Sequence, residues 1–309
     1  GIGGSKDKEG GNIKITGGKV DASSSYGAGI GGGQNKAGGT IEITGGEVIT
    51  NSTPGAGIGG GDGGDGGSIK ITGGKVHASS GVRGAGIGGG KDGAAGSFRT
   101  GADGKALIYA IDGISDNSDE TNWSGIIFNS TNSGKVYGEQ ELSYDFNVGG
   151  GYTLEIPSGG KLTIPQGKTL GLNYDAKLQN NGTLENNGKI KKRKGSEIIG
   201  SVTGSGELID KPYSTPTAAI DYRAEKLTGL SADISYRITF DGNREDIDKP
   251  AEGKIDIKEQ WLSKTLSIMA KEDDSFLESE KQSFPIPARP AVPAVNGADE
   301  ANYEKNNGK

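Results

Sequence analysis

The chain has 309 residues, room for two or three domains, but only 31% are hydrophobic, too few for one large round core. Glycine is in excess: 59 residues, 35 of them before residue 101, without the strict three-residue period of collagen. A net charge of −6 with no dominant basic face excludes a nucleic-acid backbone as partner, and the lack of cysteine excludes disulfide staples and thiolate metal sites.

The first hundred residues repeat. GAGIGGG stands at Gly27–Gly33, Gly55–Gly61 and Gly84–Gly90, and the opening GIGG matches part of it. The marked isoleucines Ile2, Ile30, Ile58 and Ile87 are spaced by 28, 28 and 29 residues. In step with them run NIKITGGKV (Asn12–Val20), TIEITGGEV (Thr40–Val48), SIKITGGKV (Ser68–Val76) and a weaker start at Ser97–Gly101. Ile13 and Ile15 alternate with Lys14, the period of a strand with one buried face. A second short strand, Lys19–Ser23, buries Val20 and Ala22, and the isoleucine of GAGIGGG marks a third. Three such strands cannot fold alone, but stacked windings hydrogen-bond to one another at ~4.8 Å per layer. The pattern predicts a right-handed parallel β-helix over 1–100, with the isoleucines in one inward column. A flexible linker has no reason to hold an isoleucine in register.

Residues 101–210 are predicted to continue the helix less regularly and then seal its end. ALIYAI (Ala106–Ile111) and SGIIFNS (Ser124–Ser130) are strands. The following segments place Leu154, Leu162, Leu170, Leu178, Leu184 and Ile190 inward, on faces of a narrower triangular coil. At Lys211-Pro212 glycine thins out, and short alternating strands over 211–293 predict a small β-sandwich with Trp261 and Leu266 in its core. PIPARPAVPAV (Pro285–Val295) is a stiff spacer, and 294–309 begins a further module. Since the sequence opens inside one repeat and stops inside another module, it reads as a fragment of a longer protein. No apolar run reaches the ~20 residues that span a bilayer.

GAGIGGG with GGxIxITGGxV resembles the glycine-rich solenoid repeats of surface proteins from gut clostridia and related Firmicutes. WSGIIF…SGKVYG (Trp123–Gly138) and TLEIPSGGKLTIPQGKTL (Thr153–Leu170) are similar to the continuation in those proteins. AEKLTGL…PIPARPAVPAV (Ala224–Val295) resembles the fibronectin-type-III-like modules that follow it. The resemblance implies a secreted or wall-attached, modular, Gram-positive surface protein. Some related β-helices bind plant polysaccharides, and the likeness lends no catalytic motif.

Parallel β-helices also host polysaccharide lyases and hydrolases, whose sites need converging carboxylates with a cation or calcium nearby. The outward columns here do not supply them. Lys14, Glu42 and Lys70 alternate in sign as a solvated face does, and Asp21, Ile49 and His77 hold no acid–base pair. His77, the single histidine, is expected to face solvent with no role. Asp62 and Asp65 in GDGGDGG open like a calcium-binding nonapeptide, but Gly67 stands where an apolar residue is needed. They read as corner residues with weak calcium binding at most, and no other cofactor is expected. Thr16, Thr44 and Thr72 form one column rather than the paired columns of an ice-binding face. KIKKRKG (Lys189–Gly195) reads as a solvated strand face rather than a seat for an anionic polymer.

Sugar recognition favours exposed aromatics beside hydrogen-bonding groups. The regular windings carry only Tyr26 before Phe98, so a sugar site is expected among Tyr109, Trp123, Tyr137, Tyr144 and Tyr152. Three functions follow as expectations. The first is a non-catalytic, monomeric, extracellular adhesin or scaffold that binds polysaccharide or host glycan. The second is a stalk that presents other domains. The third, resting on fold analogy alone, is a polysaccharide-cleaving enzyme.

Overall fold

The computed structural model of the protein describes residues 1–116 and 120–289. The described chain falls into two compact units, Gly1–Asp210 and one beginning at Lys211, and among the described residues there is no α-helix. The spacer predicted from Pro285 is described only to Arg289, and the module start predicted at 294–309 lies outside the described residues.

The repeat winds into a parallel β-helix with three faces. On the shortest, Ile2–Gly3, Ile30–Gly31, Ile58–Gly59 and Ile87–Gly88 pair in parallel, isoleucine on isoleucine. Asn12–Ile15, Thr40–Ile43, Ser68–Ile71 and Ser97–Arg99 form the second face. Lys19–Ser24, Glu47–Ser52, Lys75–Ser80 and Leu107–Ala110 form the third. One repeat is therefore one winding. Ile30, Ile58 and Ile87 are fully buried, whereas Ile2, stacked on one side only, is 41% exposed. The inward column is as the repeat spacing predicts.

The glycine after each isoleucine is what lets the windings close up. Gly59 has φ +134, and a Cβ there would lie 2.0 Å from the carbonyl oxygen of Gly88 on the next winding. Any side chain would meet backbone rather than a yielding side chain. At the far end Phe98 meets Trp123 edge-to-face at 5.2 Å, and Trp123 meets Tyr137 at 5.4 Å, so aromatic rings close the first core.

The continuation departs from expectation. Leu107–Ala110 and Gly125–Phe128 do extend the third face in parallel. Gly125–Phe128 then pairs antiparallel with Ser133–Tyr137, and the chain direction in the sheet reverses. Thr153–Ile156, Lys177–Asn180 and Glu197–Ile199 stack in parallel on the reversed strand, completing one nine-stranded sheet. Reversal exchanges the sides of the sheet. Ile108 and Ile127 point into the first core, while Leu107, Ile126 and Phe128 belong to a second core with Val136, Leu154 and Leu178. The segment is thus a second β-helix on the opposite face of a shared sheet, not a cap on the first.

This second helix is triangular. Its other faces are Glu139–Glu141, Lys161–Ile164 and Thr183–Asn186, and Phe146–Val148, Thr169–Leu172, Lys189–Lys192 and Glu207–Ile209. Leu154 pairs with Leu178, Leu162 with Leu184 and Leu170 with Ile190, all buried. Those spacings are 24, 22 and 20 residues, so the windings shorten from Leu154 onward.

The second unit is a small antiparallel β-sandwich. Ala219–Asp221, Lys226–Thr228 and Ile255–Asp256 make one sheet. Asn243–Ile247, Tyr236–Phe240, Thr265–Ala270 and Gln282–Pro285 make the other, in that order. Trp261 and Leu266 are fully buried between them, with Leu227, Ile238 and Ile268.

Candidate functional site

On the third face of the first helix, residues alternate between core and outside. Val20, Val48, Val76 and Ile108 point in; Asp21, Ile49, His77 and Tyr109 occupy the next position, in register, and Phe128 follows Tyr109. Inter-strand spacing sets the distance between side chains in such a column, and rings placed there stack. The His77 and Tyr109 rings lie 4.4 Å apart and 11° from parallel, and Tyr109 and Phe128 lie 4.6 Å apart and 10° from parallel. Tyr152 of the second helix continues the run, 6.1 Å from Phe128 and tilted by 47°. Gly134, cross-strand from Phe128, permits this, because a Cβ there would sit 2.5 Å from ring carbon Cδ1.

The reversal supplies a wall beside this column. Residues leading into the second helix, Asp145 to Tyr152, border a cleft of about 460 Å³ with His77, Tyr109 and Phe128, and Lys75 and Asn147 stand at its rim. Two further depressions, of about 700 Å³ around Lys75, Tyr144, Asp145 and Lys105 and about 300 Å³ around Ile49, Asn51, His77 and Ile111, share lining residues with it. The three form one groove on the outer face of the sheet. Asp145 is fixed there by accepting a hydrogen bond from the Thr169 amide at 2.7 Å, and the Tyr109 hydroxyl reaches the Asn147 carbonyl at 3.5 Å.

Burial sets the charge state of the rings. It pushes the Tyr109 hydroxyl well above its ordinary pKa, with a smaller push from Tyr152, and it raises Tyr144 as well. Burial also lowers the His77 imidazole below 6.5; Lys75 adds to the fall and Glu47 opposes it. At neutral pH the groove therefore presents an uncharged imidazole and neutral phenols. It can hold a ligand through apolar contact and hydrogen bonds.

Of the five aromatics singled out by sequence, Tyr109 and Tyr152 come together in the cleft and Tyr144 lines the adjoining stretch. Trp123 is a core residue, 7% exposed, so it is no platform. Tyr137 covers Trp123 and donates its hydroxyl to Glu120 Oε2 at 2.7 Å; burial and that carboxylate raise its pKa. His77 is not the solvated bystander expected: it is half-buried and stacked on Tyr109. Phe128, Lys75 and Asn147 were not visible as groove residues from sequence. The missed signal was the alignment of Leu107–Ala110 with the repeat, which puts Tyr109 in the His77 column.

Asp62 and Asp65 occupy a corner between windings. Asp62 accepts from Gln34 Nε2 at 3.5 Å and Asp65 from the Ala94 amide at 2.8 Å. No group of three or more His, Cys, Asp or Glu that could hold a metal occurs among the described residues. Glu42 lies 3.0 Å from Lys14 and 3.4 Å from Lys70, and the Lys14 hydrogen bond leads in lowering its pKa. In the basic segment Lys189 lies 3.7 Å from Glu207, and Arg193 donates to Asn173 Oδ1 at 2.6 Å. No helix among the described residues is long and apolar enough to cross a membrane.

Residues 13–34, 41–62 and 69–91 match the family model described as a β-helix repeat. No curated protein and no solved structure gives a significant match to the chain. The matched segments coincide with the windings whose strands pair in parallel, and the protein is on both counts a parallel β-helix repeat protein.

Proposed function

We propose that this protein is a non-catalytic extracellular scaffold, of the kind displayed by Gram-positive bacteria, that holds a polysaccharide or host glycan in the groove beside His77 and Tyr109. One observation carries the reading. The aromatic column His77–Tyr109–Phe128 surfaces from a buried core into a groove rimmed by Lys75, Asp145 and Asn147. An apolar floor with a few convergent polar groups is the general form of a small-ligand site. On this reading the chain acts as a monomer, secreted or wall-attached, without a resident cofactor. The β-sandwich serves as a fibronectin-type-III-like spacer.

The test is a glycan array probed with the whole chain, followed by affinity gel electrophoresis on the binders. Binding is expected, and Tyr152→Ala is expected to weaken it while circular dichroism stays unchanged. An array without binders removes the reading and leaves a stalk. Release of reducing or unsaturated ends from a bound polymer would replace it with an enzyme.

A further inference from the structure

Three features of the groove narrow what it can take. The first is its course. Glu47, Lys75 and Lys105 line one end of it and Ile49, His77 and Ile111 the other, three successive windings in each case, so it runs across the strands as well as along them. Along the strand from Lys75 to Ser79 it covers about 13 Å at strand rise, an open trench rather than a closed pocket.

The second is its charge. Lys75 and Lys105 line the groove, and so do Asp103 and Asp145. Glu47 also lines it, but it is 3.7 Å from Lys19. Cations and unshared acids therefore balance, and the imidazole between them is held neutral by burial. A polyanion gains affinity from a surplus of cations, and this groove has none to give.

The third is how the rings are turned. In a stack at 4.4 and 4.6 Å both faces of Tyr109 are covered, by His77 and by fully buried Phe128, so it offers the cleft its edge. Ring edges carry the positive end of the quadrupole and suit hydroxyl and ether oxygens. His77 covers Tyr109 with one face. Ile49 is the next side chain of the column on its other side, and His77, Ile49 and Ile111 together border the depression of about 300 Å³.

We infer that the groove takes a linear, uncharged polysaccharide, with one sugar ring seated where His77 and Ile49 border it. This rests on the glycan-binding reading and specifies its substrate class. The test is affinity electrophoresis of the whole chain in gels containing mixed-linkage β-glucan, glucomannan or amylose, and in gels containing polygalacturonate or hyaluronan. Each is run at about 20 mM and about 0.5 M NaCl, where Debye lengths differ several-fold.

Retardation by a neutral polymer that persists at high salt is expected. It should weaken about fivefold in His77→Ala, the size of one aromatic contact, and be retained in His77→Phe, which keeps the stack. Retardation only by the anionic polymers, relieved by salt, overturns the substrate class while sparing the glycan reading. Neutral-polymer binding indifferent to His77→Ala overturns the placement at the groove. Retardation by none of the five, with none on a glycan array, removes the parent reading and this inference with it.

Discussion

Gly59 and Gly63 lie on the same winding and both have positive φ, +134 and +72, yet they should respond oppositely to substitution. At Gly63 the nearest obstacle to a Cβ is the side-chain oxygen of Asn35 at 3.0 Å, which can swing aside. The corresponding corners of the other windings hold Asp7, Asn35 and Asp92, with φ of 62, 60 and 60. Asn and Asp tolerate this left-handed conformation. Gly63→Asn should therefore change stability by no more than about 0.5 kcal/mol. Gly59 has no such precedent, because its column is Gly3, Gly31, Gly59 and Gly88, with φ between +128 and +136. Ala there incurs about 1–3 kcal/mol of backbone strain and must also push the Gly88 carbonyl away from 2.0 Å, an overpacking cost of about 1–3 kcal/mol. The sum is about 2–6 kcal/mol, or a urea midpoint lower by at least about 0.7 M at a slope of about 1–3 kcal/mol/M. Trp123 fluorescence in a Trp261→Phe background reads this unit alone, since Trp123 lies in the first core and Trp261 in the sandwich. Equal midpoints for Gly59→Ala and Gly63→Asn would refute the claim that close approach, not flexibility, requires glycine after each isoleucine.

Three further outcomes are expected. The single imidazole, His77, should titrate in an NMR series with a midpoint below 6.5. Since the unfolded chain then takes up the proton first, stability should fall as pH drops below 6.5 and level off beneath the folded-state midpoint; a midpoint at or above 6.5 contradicts the burial seen here. Glu42→Lys sets three cations in one exposed column with Lys14 and Lys70, so its urea midpoint should drop at low salt and recover when salt is added. Gly134→Ala drives a methyl toward the Phe128 ring and should cost about 1–3 kcal/mol, accompanied by a change in the near-ultraviolet circular dichroism of the aromatic column.

The windings were legible because they repeat. A column such as Ile30–Ile58–Ile87 needs only a fixed spacing to be seen, and the alternation in Asn12–Ile15 fixes which face is buried. The reversal was not legible as such. Parallel and antiparallel neighbours share the same alternation, and only the hairpin between Phe128 and Ser133 tells them apart. A physical signal was nonetheless present. In GIIF, Gly125–Phe128, all four residues are buried, and LIYA, Leu107–Ala110, alternates no better. Unbroken apolar runs belong to strands covered on both faces, which one helix alone cannot provide. Trp123 was misjudged for a related reason: aromatic content locates a neighbourhood, but the turn of the backbone decides which ring faces a core and which a groove.

The groove exists because of the reversal. In a β-helix wound one way throughout, every outward column is an open surface, as at Asp21. When strand direction flips within the sheet, the second core must form on the side that was outside, so the same column passes from surface to interior along the helix axis. It runs from exposed Asp21 through half-buried Ile49, His77 and Tyr109 to fully buried Phe128, then to Gly134, Leu154 and Leu178. The pKa directions follow that gradient, with His77 pushed down and Tyr109 pushed up by desolvation. A ligand seated beside His77 would thus lie where this column passes from surface to interior, and the first winding of the second helix, which borders the cleft, provides hydrogen-bonding groups there.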